Sequence, residues 1–365
     1  MVKMKKTLLS ICVPTYNRQK FLERLIKNVI KETNKVKDKV ELCISDNGST
    51  DETEKLVKYY KKKNSFIRYR KNRYNVGFQK NLLAVLKMAR GEYCWMMGDD
   101  DLFLKNSISN IIRIINKNKY AYILSDTLSC EGKRKRTINW NRSSEVKLIK
   151  DKYELINFIG PLGQMGAHIV KKEELKKAIK KTQGYKGWFP QIVMFFYILQ
   201  KNNFIYITKK TAIKGGESLG TEQTKDYIPL SYLNYSRTVK FLKDKKIISN
   251  DQYKNALKII YKNFSVNILF SFCAIKKEDE NAYLVLNSIY NEFIKNDKEL
   301  NTFFNAASIF LVKNKITQVL IRPFVNTIYL LVYIKLLNLF RKEKKRSAWE
   351  KWDYRRKSGA VKIKY

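Results

Sequence analysis

The chain has 365 residues, more than the roughly 100–200 that one domain usually takes, so a substantial domain with a second segment is expected. With 44% hydrophobic and 13% aromatic residues it can fill a core, which excludes global disorder. Lys+Arg 74 against Asp+Glu 33 leave a formal charge of +41, which favours a phosphate-rich substrate, acidic lipid or nucleic acid; lysine spread along the whole chain also reads as solvated helix faces.

The opening alternates between strand and helix patterns. Leu8–Val13 is an apolar strand ending at Pro14, too short for a signal peptide core, and Gln19–Lys31 has helical spacing through Phe21, Leu25, Ile26, Val29 and Ile30. Val40–Ser45 is a second strand closed by Asn47-Gly48, and Asp51–Lys61 a helix with Thr50 and Asp51 as capping candidates. Ile67–Arg70 reads as a strand, Gln79–Ala89 as a helix closed by Gly91, and Tyr93–Met97 as a strand running into Gly98-Asp99-Asp100-Asp101. Such alternation predicts a mostly parallel sheet flanked by helices, with ligands at the carboxyl ends of its strands.

Further on, Ser107–Asn116 is a predicted helix, Tyr120–Ser125 a strand and Cys130–Ser144 a basic loop or hairpin. Ala167–Val170 and Phe204–Ile207 read as strands, with helices at Lys172–Lys180 and Phe189–Gln200 between them. After Gly215-Gly216 the pattern turns helical, with a boundary near 225 and candidates at Leu230–Asp244, Asp251–Cys273, Glu278–Lys295 and Leu300–Val312. The expected division is therefore a catalytic α/β domain at 1–225, a C-terminal helical region at 226–315 and a tail at 316–365. In that tail Ile316–Phe340 is apolar but broken by Arg322-Pro323, Asn326 and Lys335, which favours an interfacial or packed helix over a membrane span. Residues 341–365 carry eleven Lys/Arg against three acids, with Trp349, Trp352 and Tyr354 interleaved, a mixture suited to an anionic membrane surface or to a basic helix docked on the protein. The five cysteines lack CxxC spacing and three lie in apolar stretches, as expected of reduced thiols in a cytoplasm.

Moving a sugar off a nucleoside diphosphate requires a grip on the nucleotide, neutralisation of the departing diphosphate and activation of the acceptor hydroxyl. Asp99-Asp100-Asp101, directly after an apolar strand, supplies hard oxygen ligands for a divalent cation such as Mg²⁺ or Mn²⁺. Taken alone, the triplet also reads as a solvated turn. It is the third motif of an ordered set, SICVPTYNRQKFLERLI, ELCISDNGSTDETEKLV and YNVGFQKNLLAVLKMARGEYCWMMGDDD, each falling at a strand end or the following helix.

This ordered set resembles the family 2 glycosyltransferases over about residues 6–105, and more weakly to about 216. The resemblance implies a GT-A, Rossmann-like catalytic domain, an inverting hexosyl transfer from a UDP- or dTDP-sugar class of nucleotide-sugar donor, and a glycan or lipid-linked saccharide acceptor in surface-polysaccharide synthesis. It places Pro14, Thr15, Tyr16 and Asn17 in the first nucleotide-contacting loop, and Asp46 with Asn47 at the base. A carboxylate at Asp46 suits a base imide N–H, and equally an Asx turn or helix cap. Asn75, Gly77 and Asn81 fall near the ribose and diphosphate, Asn81 also reading as a helix-face amide. The family's common Asp-x-Asp-Asp begins here with Gly98, which leaves Asp99 beside the donor, Asp100 near the ribose or metal waters and Asp101 as the metal ligand.

The general base is less legible. Where the family commonly has an acid at a helix start, this chain has Trp188-Phe189-Pro190-Gln191, and an amide takes no proton. Glu217, after Gly215-Gly216, is the catalytic candidate; Glu222, Asp226 and His168 are substitutes, His168 also reading as a packed strand residue. Trp188 and Phe189 suit either a platform for the acceptor sugar or core packing. The alternatives are a sugar-phosphate nucleotidyltransferase, for which PTYNRQKF lacks a glycine-rich phosphate loop, and a non-enzymatic basic polyanion-binding protein. No nucleic acid is expected as a partner, since no helix-turn-helix, zinc or RNA-binding signature is present. The expected location is cytoplasmic, peripheral on the inner face of the plasma membrane, and the sequence leaves the oligomeric state open.

Overall fold

The structure, a computed structural model, describes residues 7–117, 119–131, 134–138, 147–149, 161–201, 205–214, 224–260, 288 and 290–294. The predicted alternation is present: β1 (Leu9–Thr15), α1 (Gln19–Thr33), β2 (Val40–Asp46), α2 (Thr53–Lys63), β3 (Ile67–Lys71), α3 (Phe78–Met88) and β4 (Tyr93–Met96) follow in order. Next come β5 (Leu102–Phe103), α4 (Ser107–Lys117), β6 (Tyr122–Glu131), β7 (Arg134–Ile138), β8 (Lys147–Ile149), β9 (His168–Lys171), α5 (Lys172–Lys181), α6 (Pro190–Lys201), β10 (Ile205–Lys214) and α7 (Thr224–Asp244), with a further helix over 250–260.

Among the described residues the strands form one sheet in the order β3-β2-β1-β4-β9-β6-β10-β5, with β7 beside β6 and β8 beside β10. The first four pair in parallel. β9 then runs antiparallel between β4 and β6, while β10 returns parallel to β6. The sheet is thus mixed and mostly parallel. The hairpin alternative for Cys130–Ser144 is realised by β6 and β7, paired from Thr127–Ile138 to Glu131–Arg134.

Both faces of the parallel half are covered, which is why β1 and β2 are buried at every position, the polar Ser10, Glu41, Ser45 and Asp46 included. On one face Leu9, Ile11, Val13, Leu42 and Ile44 meet α1 and α4, whose isoleucines at 108, 111, 112 and 115 keep helical spacing. α3 packs against β1 and β2 with Leu82, Val85 and Leu86 buried outside that cluster, on the opposite face. Three reduced, buried thiols, Cys12, Cys43 and Cys94, lie within these strands, Cys12 directly beside Cys43. α6 is buried over nearly its whole circumference and starts with Pro190, whose missing N–H costs nothing at a first helical position.

The chain divides into two compact units, Met1–Glu222 with Arg237–Ala256 and Tyr365, and Gln223–Ser236 with Leu257–Lys364. The boundary expected near 225 falls at the head of α7, whose second half belongs to the first unit. There Thr238 bonds the Tyr185 hydroxyl at 2.6 Å and Phe241 meets the Tyr185 ring edge-on. Among the described residues no helix is long and apolar enough to cross a membrane. The helices expected at 300–312 and the tail at 316–365 lie outside the described residues.

Gly91, before β4, presses on β1: an added Cβ would stand 2.7 Å from the Ser10 nitrogen and 2.9 Å from the Leu9 carbonyl carbon. Backbone cannot yield as a flexible side chain can. Gly91→Ala is expected to destabilise the protein by about 1–3 kcal/mol, read as a lower urea midpoint.

Candidate active site

The chain runs β1-β2-β3 outward to one side and then crosses back, so β1 has β2 on one flank and β4 on the other. Such a reversal opens a crevice at the carboxyl ends of the two central strands. Thr15 ends β1 there, and Asp99 follows β4. The Thr15 hydroxyl donates to Asp99 Oδ2 at 2.8 Å, closing the crevice floor across 84 residues of sequence.

The acidic turn is shaped by its own carboxylates. Asp101 Oδ2 accepts the Gly98 N–H at 3.2 Å, and the Asp101 N–H returns to the Gly98 carbonyl at 3.2 Å. A Cβ at Gly98 would stand 2.9 Å from Asp100 Oδ1 and 3.0 Å from Asp101 Oδ2, both ends of side chains that can turn aside. Arg18, absent from the sequence-based site, faces this turn: its Nε lies 3.0 Å from Asp99 Oδ1 and a terminal nitrogen 3.0 Å from Asp100 Oδ2. Burial pushes the Asp99 carboxyl up to about 7; Arg18 and the Thr15 hydroxyl pull against that shift, and Asp100 adds to it. Among the described residues no three His, Cys, Asp or Glu side chains converge as a closed metal cage. The donor set nevertheless fits an open site for a hard cation, since Mg²⁺ commonly takes one or two carboxylates together with substrate phosphates.

The nucleotide-side residues form a second layer built from amides. Asn81 Oδ1 accepts from the Ser45 hydroxyl at 2.7 Å and the Asn72 amide at 3.1 Å, while its Nδ2 donates to the Ser45 carbonyl at 2.9 Å and the Thr15 carbonyl at 3.4 Å. Asn47 donates to Asn75 Oδ1 at 2.7 Å and accepts from Asn72 and the Val76 N–H. Gly77 caps α3, its N–H on Asn75 Oδ1. Asn17, in the left-handed region at φ 50, takes the Thr50 N–H on its Oδ1 and gives its own N–H to Ser49. Asp51 accepts the first N–H groups of both α1 and α2, from Gln19 and Thr53. Pro14 is buried in β1, and Tyr16, 40% exposed, is left pointing out of the loop.

For Asp46, the turn alternative is realised. It is fully buried, with Oδ1 on the Ser49 N–H and Oδ2 on the Tyr69 hydroxyl, both at 2.8 Å. Asn72, Tyr69 and Arg18 escaped the sequence reading. Arg18 stands inside the first motif string quoted above and Asn72 two residues before the third, where density of asparagine at successive strand ends was the available signal; Tyr69 carried none.

The candidate bases separate clearly. His168 is a core residue: its Nε2–H donates to the Leu162 carbonyl at 2.7 Å and its Nδ1 accepts from the Tyr122 hydroxyl at 2.5 Å, an assignment fixed by the partners. Gln191 donates to the Gly163 carbonyl at 2.9 Å, and its buried Oε1 has no hydrogen-bond partner. Phe189 is packed, whereas Trp188 is 37% exposed. Glu217 and Glu222 lie outside the described residues, and Asp226 falls in the first turn of α7.

Comparison with known proteins agrees with this geometry. Residues 10–168 match the family described as Glycosyl transferase family 2. Abequosyltransferase RfbV of Salmonella typhimurium is 39% identical over 117 residues, 32% of this chain and 35% of that protein. The GalNAc(5)-diNAcBac-PP-undecaprenol beta-1,3-glucosyltransferase of Campylobacter jejuni is 26% identical over 266 residues, 70% of this chain and 80% of that one. In fold, S. aureus TarS 1–349 in complex with UDP aligns with a TM-score of 0.51 and 19% identity, over 75% of this chain and 77% of that one. This chain thus spans about a third of the first relative's length and most of the second's.

Burial holds His168 down to about 4, while an unfolded histidine titrates near 6.5. Between those values the unfolded chain binds the extra proton, so this contribution is complete above pH 6.5 and is lost as pH falls towards 4. Asp99, raised in the folded state, contributes with the opposite sign over much of the same window. His168→Gln isolates the histidine: the wild type should lose about 3 kcal/mol relative to this variant between pH 6.5 and 4, measured by urea unfolding.

Proposed function

We propose that this chain transfers a glycosyl group, with inversion, from a UDP- or dTDP-sugar to a hydroxyl of a saccharide or lipid-linked saccharide in surface-glycan synthesis. The observation that carries the reading is the crevice floor, where Thr15, Asp99, Asp100 and Arg18 meet at the reversal of strand order. Opposite charges at that point suit a diphosphate that leaves with added negative charge.

In this reading Tyr16 and Asn17 flank the base, and Asp46 holds the β2–α2 turn behind it. Asn75 and Gly77, at the start of α3, face the ribose and diphosphate, while Asn81 fixes the strand ends beneath them. Asp101, assisted by Asp100, would hold Mg²⁺ or Mn²⁺, which when bound neutralises charge on the departing diphosphate. Exposed Tyr74, Phe78 and Trp188 offer apolar faces to the acceptor sugar, with exposed Arg73, Lys80 and Lys186 beside them in sequence. Glu217 supplies the base. The undecaprenol-linked acceptor in the name of the Campylobacter relative, together with the basic, tryptophan-containing segment 341–365, supports a lipid-linked acceptor and work at the cytoplasmic face of an anionic membrane.

Hydrolysis and transfer by the purified protein across UDP- and dTDP-sugars, with and without Mn²⁺, test the reading. Asp101→Asn keeps an oxygen for the Gly98 N–H and removes the charge, so turnover should fall about 10²–10³-fold while the circular dichroism spectrum stays unchanged. A turnover number equal to wild type would remove Asp101 from the metal site.

A further inference from the structure

Arg18 sits where a cation would be needed, in a protein whose reaction would bring its own. Its backbone is fixed from both sides, by Asn17 on Ser49 and Thr50, and by the Gln19 N–H on Asp51; its carbonyl starts α1 by accepting from Leu22. The side chain alone is left to move. It reaches past Phe21, whose ring centroid lies 4.9 Å from the guanidinium carbon, and sets one nitrogen against each of two carboxylates.

This pairing differs from a fork closed on a single carboxylate. The Nε and the terminal nitrogen are sealed from solvent, yet neither makes a hydrogen bond of regular geometry despite contacts of 3.0 Å. Buried donors with unused directional capacity mark an ion pair that a better-shaped partner can replace. A diphosphate offers that partner, because a planar guanidinium bonds two oxygens of one phosphate in parallel. A free divalent ion offers no such exchange. It must approach Asp101 and Asp100 against the charge of a guanidinium already paired with Asp99 and Asp100.

We propose that Arg18 is a resident counter-cation of the acidic turn, which keeps a divalent ion out of the empty site and passes to the diphosphate when the donor binds. Metal then enters with or after the nucleotide. The proposal rests on the diphosphate-binding reading above. Linkage gives it a measurable form: whatever factor the nucleotide adds to metal affinity, the metal adds to nucleotide affinity, and Arg18 sets the size of that factor.

Calorimetry on the full chain decides it, with Mn²⁺ alone, UDP alone and UDP in the presence of Mn²⁺. Against wild type, Arg18→Gln should bind Mn²⁺ alone about tenfold more tightly or better and UDP alone about fivefold more weakly, so that the coupling between them shrinks. Arg18→Lys, which keeps the charge and loses the fork, should retain weak Mn²⁺ binding with weakened UDP binding. Equal or weaker Mn²⁺ affinity in a folded Arg18→Gln protein would overturn the counter-cation, as would Mn²⁺ binding by Arg18→Lys as tight as by Arg18→Gln. Failure of every form to bind UDP would instead remove the diphosphate reading, while the Mn²⁺ comparison would still judge Arg18. Unfolding of Arg18→Gln is checked by its melting curve, and Arg18→Lys then carries the test through its UDP affinity, which at the wild-type value overturns the fork.

Discussion

The Asn81 side chain is the constraint on which the crevice depends. The ladder holds β1 and β2 in register out to Thr15–Asp46, but the helix and turns packed on those ends, which carry the site, must be held by side chains. Asn81 spends its amide on the Ser45 hydroxyl and carbonyl, the Thr15 carbonyl and the Asn72 amide, so α3 is pinned to the ends of β1 and β2 and to the turn after β3. A buried amide satisfied on both its oxygen and its nitrogen is rigid, because every displacement leaves a polar group unpaired in a low dielectric. Asn47 and Asn75 extend the same network to the N-terminus of α3.

Above that frame lies the acidic turn, which is costly. Two of the three successive carboxylates are buried, and burial, with Asp100 adding to it, raises the Asp99 carboxyl. Thr15 and Arg18 offset it from the opposite wall of the crevice. The arrangement resembles other reactive sites in placing like charges where a ligand will later neutralise them. Its stability in the empty protein therefore hangs on one arginine, and that arginine stands in the same loop as the residues facing the nucleotide.

The large positive charge has a plainer distribution. Several described acids outside the site are engaged in pairs one helical turn apart, such as Lys27–Glu23, Lys58–Glu54 and Lys177–Glu174, which contribute little to stability. Other described lysines lie on helix surfaces such as that of α2, whose last turn is Lys61, Lys62 and Lys63. Long-range attraction for anionic partners follows from this excess, with a range near 8 Å at physiological salt.

The sequence by itself determined the elements from β1 to β4 and the carboxyl-end position of the acidic turn, because hydrophobic period, strand length and capping residues are local properties. The helix starts at Gln19, Thr53 and Phe78 lie within two residues of their expected positions for the same reason. Tertiary structure alone decided what spans long sequence separations. The antiparallel insertion of β9 between β4 and β6 depends on pairing partners 74 and 46 positions away, from Trp95–Ile169 and Ile123–Ile169, and no local pattern encodes that choice. His168 became a core residue because Tyr122 and Leu162 happen to satisfy both ring nitrogens. The Asp46 turn and the Arg18 ion pairs were decided in the same way: a carboxylate or guanidinium written in sequence states a charge, and only the packed neighbours state what that charge is set against.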